Sequence, residues 1–194
     1  MLNSPSRSQK KIKLKIPQQK QNKRTRIPNI CCLHTPETMS QYEIKQTSNE
    51  RVFDGQLYRF SHKSPVLGGC TMNFHVYLPP VNSRQNGLAP VLYFLSGLTC
   101  TDENFVQKAG AFRALAHNGL ALVACDTSPR GDDVADDETA WDSGKGAGFY
   151  VDATQEPWSK HYKMYSYVVS ELPSVLKALI DERSQEFGAL DLSR

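Results

Sequence analysis

The sequence predicts an α/β fold, and three observations carry that prediction. Val91-Leu92-Tyr93-Phe94-Leu95 is a continuous apolar run bounded by Pro90 and Gly97, the mark of a strand covered on both faces. Asn104 to His117 follows as a helix, with Phe105, Ala109, Phe112 and Leu115/Ala116 on one stripe and Asn118-Gly119 as its stop. Leu120 to Cys125 is a second apolar run. Strand, helix and strand with short joints read as a parallel βαβ unit, because parallel neighbours need a crossover between them.

The chain has 194 residues, enough for one domain with a sizeable core. Its charge is unevenly placed. Residues 1–38 hold nine Lys/Arg against one acid, Glu37, whereas the remainder holds 14 bases against 19 acids. The formal net charge of +3 therefore averages a basic segment and a mildly acidic body. Residues 1–38 are rich in Lys, Gln, Ser and Pro and poor in large apolar side chains, so they are expected to be a disordered basic extension. Residues 39–194 are expected to form the folded portion, with Met39-Ser40 resembling a natural start. The extension has no aromatic residue to stack on bases, which argues against nucleic-acid binding. Lys11 to Ile16 alternates with period two, which argues against the amphipathic helix of a transit peptide.

The longest apolar run is too short to cross a bilayer. No apolar stretch near Met1 has the character of a secretory signal, and no membrane partner is expected. The five cysteines are odd in number and lack framework spacing, as expected of reduced thiols in a cytoplasmic protein. Cys31-Cys32 with His34 matches no common zinc pattern, so no metal and no cofactor is expected.

Before the βαβ unit, Val52 to His62 reads as a strand carrying Phe53, Leu57, Tyr58 and Phe60 around a turn at Asp54-Gly55. Cys70 to Leu78 alternates, with Met72, Phe74, Val76 and Leu78 on one face, until Pro79-Pro80 ends it. Leu67-Gly68-Gly69 turns the chain between them into an antiparallel pair, and Asn82 to Gly87 is a polar loop. After the unit, Asp126 to Glu156 is a long irregular segment, a length that in compact domains usually signals function. Ser159 to about Asp181 has helical spacing at Tyr165, Val168/Val169, Leu172, Val175/Leu176 and Leu179. Pro173 removes the donor for the carbonyl of Val169 and predicts a kink. Gly188 to Arg194 is turn-like, anchored by Leu190 and Leu192.

Acyl transfer needs a nucleophile, a base, an orienting acid and donors for an oxyanion. The Gly-x-Ser-x-Gly elbow is absent: Phe94 stands two residues before Ser96, and Trp141 two before Ser143. What is present is Leu95-Ser96-Gly97-Leu98-Thr99-Cys100-Thr101 at the end of a buried strand, where ligands of open parallel sheets sit. That spacing fits an oxyanion-binding turn and equally an ordinary strand-to-helix turn.

Leu95 to Thr101 resembles the Leu-Ser-Gly-Leu-Thr-Cys-Thr stretch of S-formylglutathione hydrolases, the esterase D family. Asp126 to Gly131, Gly146 to Thr154 with Pro157-Trp158, Met164 to Val168, Glu171-Leu172-Pro173, and Phe74 with Val76 to Pro80 are similar to further stretches of that family, in family order from about Tyr42 onward. Cys125 stands where proline is expected.

The resemblance implies an α/β-hydrolase fold, truncated before the nucleophile-elbow strand. It implies a serine thioesterase that hydrolyses S-formylglutathione to glutathione and formate in formaldehyde detoxification, and that forms a homodimer if full length. It places the oxyanion hole at Gly97 and the N–H of Leu98. Cys100 is placed near the active site, as a reactive thiol or as a small buried hydrophobe. Trp141 to Trp158 is placed as part of the pocket wall, with Tyr150 and Trp158 as substrate contacts or as packing. No catalytic serine, aspartate or histidine of the family falls within the chain; all three are expected beyond Arg194. His34, His62, His75, His117 and His161 match no catalytic position, so this chain is expected to be inactive by itself. The missing neighbour strand predicts one unpaired edge on Val91–Leu95. The competing readings are a non-catalytic pseudoenzyme or interaction fragment, and a basic-tailed nucleic-acid binder.

Overall fold

The computed structural model describes residues 42–193. The expectations for residues 1–38, including Cys31, Cys32 and His34, lie outside the described residues.

Six strands form one mixed sheet in the order β1-β2-β3-β5-β4-β6. β1 (Lys45–Val52) and β2 (Gly55–Ser64) are two strands, not the single one expected over Val52–His62. Phe53 and Asp54, at φ 45° and 61°, are the two left-handed residues of a tight hairpin between them. β1 carries no apolar alternation, because it is an edge strand that borrows its order from β2 and keeps Lys45, Glu50 and Arg51 in solvent. β3 (Cys70–Leu78) pairs antiparallel with β2 as its alternation predicts. β5 (Ala121–Cys125) joins β3 antiparallel and β4 (Ala89–Phe94) parallel, which completes the expected βαβ unit.

The crossover is not one helix. α1 (Glu103–Lys108) and α2 (Phe112–Asn118) are separated at Gly110, whose φ is +60°. The stripe survives the break except at Ala109, which is exposed: Phe105, Phe112, Leu115 and Ala116 pack on Leu57, Tyr77 and Leu122 of one sheet face. Gly119 closes α2 in the left-handed conformation, as its position predicts.

The other face holds the larger core, where Met72, Phe74, Val76 and Leu78 meet a long helix. That helix begins at Met164, not Ser159, since Trp158–Lys160 forms a separate 3₁₀ turn. It runs as α3 (Met164–Ser166), a π-helical segment (Tyr167–Glu171) and α4 (Leu172–Glu182). The N–H of Leu172 reaches back five residues to the carbonyl of Tyr167. The irregularity expected from Pro173 is this widened turn, with the proline sitting at the start of α4 where its missing donor matters least. α5 (Ser184–Phe187) follows, and then β6 (Leu190–Asp191), a short strand where the sequence predicts a turn.

β4 does not meet the expectation of burial on both faces: Leu92 is 43% exposed, Phe94 36% and Leu95 41%. β6 pairs in parallel with Ala89 and Pro90 only. Those two residues lie before the predicted open edge, which begins at Val91 as expected.

Among the described residues, no helix is long and apolar enough to cross a membrane, and no cluster of His, Cys, Asp and Glu could hold a metal ion.

Candidate active site

The carboxyl ends of the parallel strands β4 and β5 open onto one cavity of about 240 Å³. Ser96, Gly97 and Leu98 line it from the loop after β4, and Thr127 from the loop after β5. Gly146, Gly148, Phe149 and Tyr150 of the long irregular segment close the other side. A parallel sheet places its loops this way because every strand delivers its successor loop to the same end.

The turn after β4 has defined chemistry. The N–H of Cys100 donates to the carbonyl of Gly97 at 3.2 Å, and Thr99 has φ 64°. A 4→1 bond with a left-handed third residue is the pattern of a type II turn, with Leu98 at its second position. Gly97 opens the turn but is not its left-handed residue; that role falls to Thr99, a β-branched side chain that disfavours it. The N–H of Thr99 is held by the carbonyl of Gly146 at 2.9 Å. A Cβ on Gly97 would meet open space. The amide of Leu98 donates to no protein acceptor among the described residues, and Leu98 lines the cavity.

The opposite wall is a second strained turn. Phe149 and Tyr150 are both left-handed, at φ 48° and 53°, and the N–H of Val151 closes the turn on the carbonyl of Gly148 at 3.4 Å. Tyr150 donates its hydroxyl to the carbonyl of Ser96 at 2.7 Å, tying this wall to the first loop. Burial, with the neighbouring Cys125, Cys100 and Asp126 adding to it, pushes the Tyr150 phenol well above its ordinary range, so it stays a neutral donor.

A buried polar network fixes the first loop from behind. Asp126, just after β5, accepts from the N–H and side-chain amide of Asn73, both at 3.0 Å, and from the N–H of Asp102 at 3.1 Å. Arg59 grips Asp102 through two bonds of 2.8 and 3.0 Å, and His75 Nδ1 lies 2.9 Å from the same carboxylate. Burial, and then the charge of Asp102, raise the Asp126 carboxyl. Burial also presses the Asp102 carboxyl upward, but His75 and Arg59 together outweigh it and hold it low. Thr127 Oγ1 and Arg130 Nη2 donate to the carbonyl of Cys100 at 2.5 and 2.9 Å.

The structure thus brings Gly97, Leu98 and Tyr150 to one cavity. Trp158 lines a neighbouring cavity of about 190 Å³ that shares Gly148 and Phe149 with the first. Cys100 is half-buried and lines neither; its carbonyl, not its thiol, is what the surroundings hold. Gly146, Gly148 and Phe149 line the cavity from within the stretch 141–158 that the resemblance places in the pocket wall, whereas Trp141 is exposed. Sequence reasoning misses Thr127 as a cavity residue, and Arg59, Asn73 and Asp102 as the scaffold behind it. The glycines carry the only local signal; the network depends on strand register, which no single segment displays.

The described histidines stay outside this cavity. His62 and His161 are buried in the core, His75 faces Asp102, and His117 is exposed in the last turn of α2.

The Esterase family model matches residues 64–190. An S-formylglutathione hydrolase of Mus musculus is 49% identical over 135 residues, covering 70% of this chain and 47% of the relative. One of Arabidopsis thaliana is 48% identical over 151 residues, covering 78% and 50%. A solved S-formylglutathione hydrolase from Agrobacterium tumefaciens superposes with a TM-score of 0.66 at 48% identity, over 77% of this chain and 50% of that one. The chain spans about half the length of the curated relatives it matches. The α/β-hydrolase expectation is met by this likeness and by the mixed sheet with helices on both faces. With the family model running unbroken from the end of β2 to β6, through both walls of the cavity, the chain belongs to the esterase family.

Proposed function

We propose that these residues are the oxyanion-binding half of a serine thioesterase whose substrate is S-formylglutathione, hydrolysed to glutathione and formate. The observation that carries the reading is the N–H of Leu98, unpaired among the described residues and belonging to a residue that lines the cavity at the carboxyl end of β4. Acyl transfer develops negative charge on the carbonyl oxygen, and a fixed backbone N–H that meets it needs no reorganisation at the moment of reaction. Gly97 leaves open the space beside that amide. Tyr150 holds the Ser96 carbonyl away from the developing charge. Trp158, in the adjoining cavity, contacts the glutathione portion. Cys100 positions the turn through its carbonyl.

A serine nucleophile, a histidine base and an orienting aspartate complete the reaction. The 194 residues hold no Gly-x-Ser-x-Gly, so a polypeptide of this length has no turnover by itself. The relatives named S-formylglutathione hydrolase support the substrate. The reading carries with it a cytoplasmic site of action, a homodimer for the full-length enzyme, and no nucleic-acid or membrane partner.

The test is a chimera that joins this chain, after Arg194, to the C-terminal half of the Mus musculus relative. It is expected to hydrolyse S-formylglutathione, while residues 1–194 alone do not. In the chimera, Leu98→Pro deletes the donor yet suits the second position of a type II turn. It is expected to lower kcat by about a hundredfold or more with little change in KM. Unchanged kcat would remove Leu98 from the mechanism.

A further inference from the structure

A second cavity, of about 330 Å³, lies on the sheet face that carries α1 and shares no lining residue with the Leu98 cavity. Its floor is a row across three strands. Ser48 of β1 stands opposite Arg59 of β2, and Arg59 stands opposite His75 of β3. Residues two apart along a strand share a face, so Glu50 and Leu57, themselves paired, form the next row of the same floor. Glu103, Val106 and Gln107 of α1 make the wall.

The charge of this cleft is negative. Arg59 is taken up by Asp102 at 2.8 and 3.0 Å and by Glu103 at 2.7 Å. Glu103 also accepts from the side-chain amide of Gln107 at 3.2 Å. Glu50 is exposed and has no ion-pair partner among the described residues, since the nearby Arg51 is paired with Asp54. Carboxylates therefore outnumber the guanidinium, and the cleft favours a cation.

His75 gives that preference a shape. It is only 5% exposed, and its Nδ1 is sealed from solvent 2.9 Å from Asp102 Oδ2, in contact though off the hydrogen-bond axis. A carboxylate at that distance favours the proton on Nδ1 and leaves a lone pair on Nε2. Nε2 is not sealed, takes no hydrogen bond among the described residues, and belongs to a residue that lines the cleft. A buried imidazole fixed from behind thus presents an acceptor without a donor. Leu57 and Val106 add apolar lining, which suits a ligand with a hydrocarbon stem.

We propose that this cleft binds a short aliphatic amine in its ammonium form. The N–H groups donate to His75 Nε2 and to the Glu50 carboxylate, and the methylenes lie on Leu57 and Val106. The site is separate from the Leu98 cavity, and it stands or falls independently of the thioesterase reading.

The probe is putrescine, titrated into the 194-residue chain at about 0.15 M salt, where diffuse surface attraction is screened. Saturable binding is expected, with a Kd of about 1 mM or tighter. The amide resonances of Ser48, Arg59 and His75 are expected to shift, and the His75 Nε2 resonance to move more than Nδ1. Because that imidazole is read in the parent chain, no variant at the buried position is needed. The fully methylated quaternary form of putrescine, equal in charge but without N–H, is expected to bind about tenfold more weakly or worse. Glu50→Gln, at an exposed side chain, is expected to weaken putrescine by about tenfold while leaving the circular dichroism of the chain unchanged.

Failure to saturate by about 10 mM overturns the proposal. So does a His75 Nε2 resonance that stays in place at saturation. Equal binding of the quaternary form, or binding untouched by Glu50→Gln, reduces the effect to unspecific charge and overturns it as well.

Discussion

β4 and β5 are adjacent, parallel and apolar, yet they meet different fates. All five residues of β5 are buried, between β3 and β4 and between α2 and α4. β4 has the same β5 ladder on one side, but among the described residues its other edge is paired only at Ala89 and Pro90. Hydropathy records the neighbours for which a strand is suited; exposure records the neighbours it has. On β4 and just past it, the gap between the two falls at Leu92, Phe94 and Leu95.

The sharpest way to break this contrast is to shorten the same side chain on each strand. Leu122 of β5 is fully buried on the face covered by α2. Leu122→Ala is expected to lower unfolding stability by about 3 kcal/mol, the lost transfer energy plus a cavity. Leu92→Ala is expected to cost less than about 1 kcal/mol, because half of that side chain already faces water. Urea titrations of the two variants measure the difference. Equal losses would mean that the β4 face is covered after all.

The sheet also conceals an imidazole, on β2. His62, on β2, is buried against Tyr167 and Phe74, with Nε2 3.1 Å from the Tyr167 hydroxyl. Burial lowers its pKa from 6.5 to about 4, against a smaller opposing effect from the carbonyl of Lys63. Between those values the unfolded chain binds a proton that the folded chain refuses, so stability falls as pH drops from 6.5 to about 4. The expected loss is about 3 kcal/mol, at roughly 1.4 kcal/mol per pKa unit. Glu171 and Asp126, raised mainly by burial, act with the opposite sign over the acidic end of that window, so the readout is differential. His62→Gln is expected to flatten the stability profile between pH 6.5 and 4 relative to the parent chain. Parallel profiles would show that His62 titrates normally.

The order and pairing of β3, α2 and β5 are legible in the sequence because each has a local signature: alternation at Met72 to Leu78, a glycine stop at Gly119, an apolar run at Ala121 to Cys125. β1 is not, since Lys45 to Val52 takes its conformation from β2 rather than from its own residues. β6 is not, since two residues carry no period. The helix over Asn104 to His117 looks continuous in sequence because its stripe stays in phase across the break at Gly110. At the cavity, resemblance points to Gly97, Leu98 and Tyr150. Cys100 has its side chain outside the cavity, a matter of turn geometry that adjacency in sequence does not reveal. The Arg59–Asp102 grip spans 43 positions and is visible only once β2 and α1 are placed.

The smallest effect concerns the loop after β4, the one that carries Leu98. Its counterpart after β5, Asp126-Thr127-Ser128, holds no left-handed residue, whereas Thr99 sits at φ 64°. That conformation costs a β-branched residue about 1–2 kcal/mol, and a glycine nothing. Glycine in turn makes the unfolded chain more mobile, a loss of about 0.4–1 kcal/mol. Thr99→Gly is therefore expected to raise stability by somewhat less than about 1 kcal/mol, read by urea titration. Its N–H can still reach the carbonyl of Gly146, which keeps the turn in place. In the chimera the same variant is expected to keep kcat, because the donor it spares belongs to Leu98. A fall in kcat with stability raised would show that strain at Thr99, beyond fold geometry alone, holds the Leu98 amide on target.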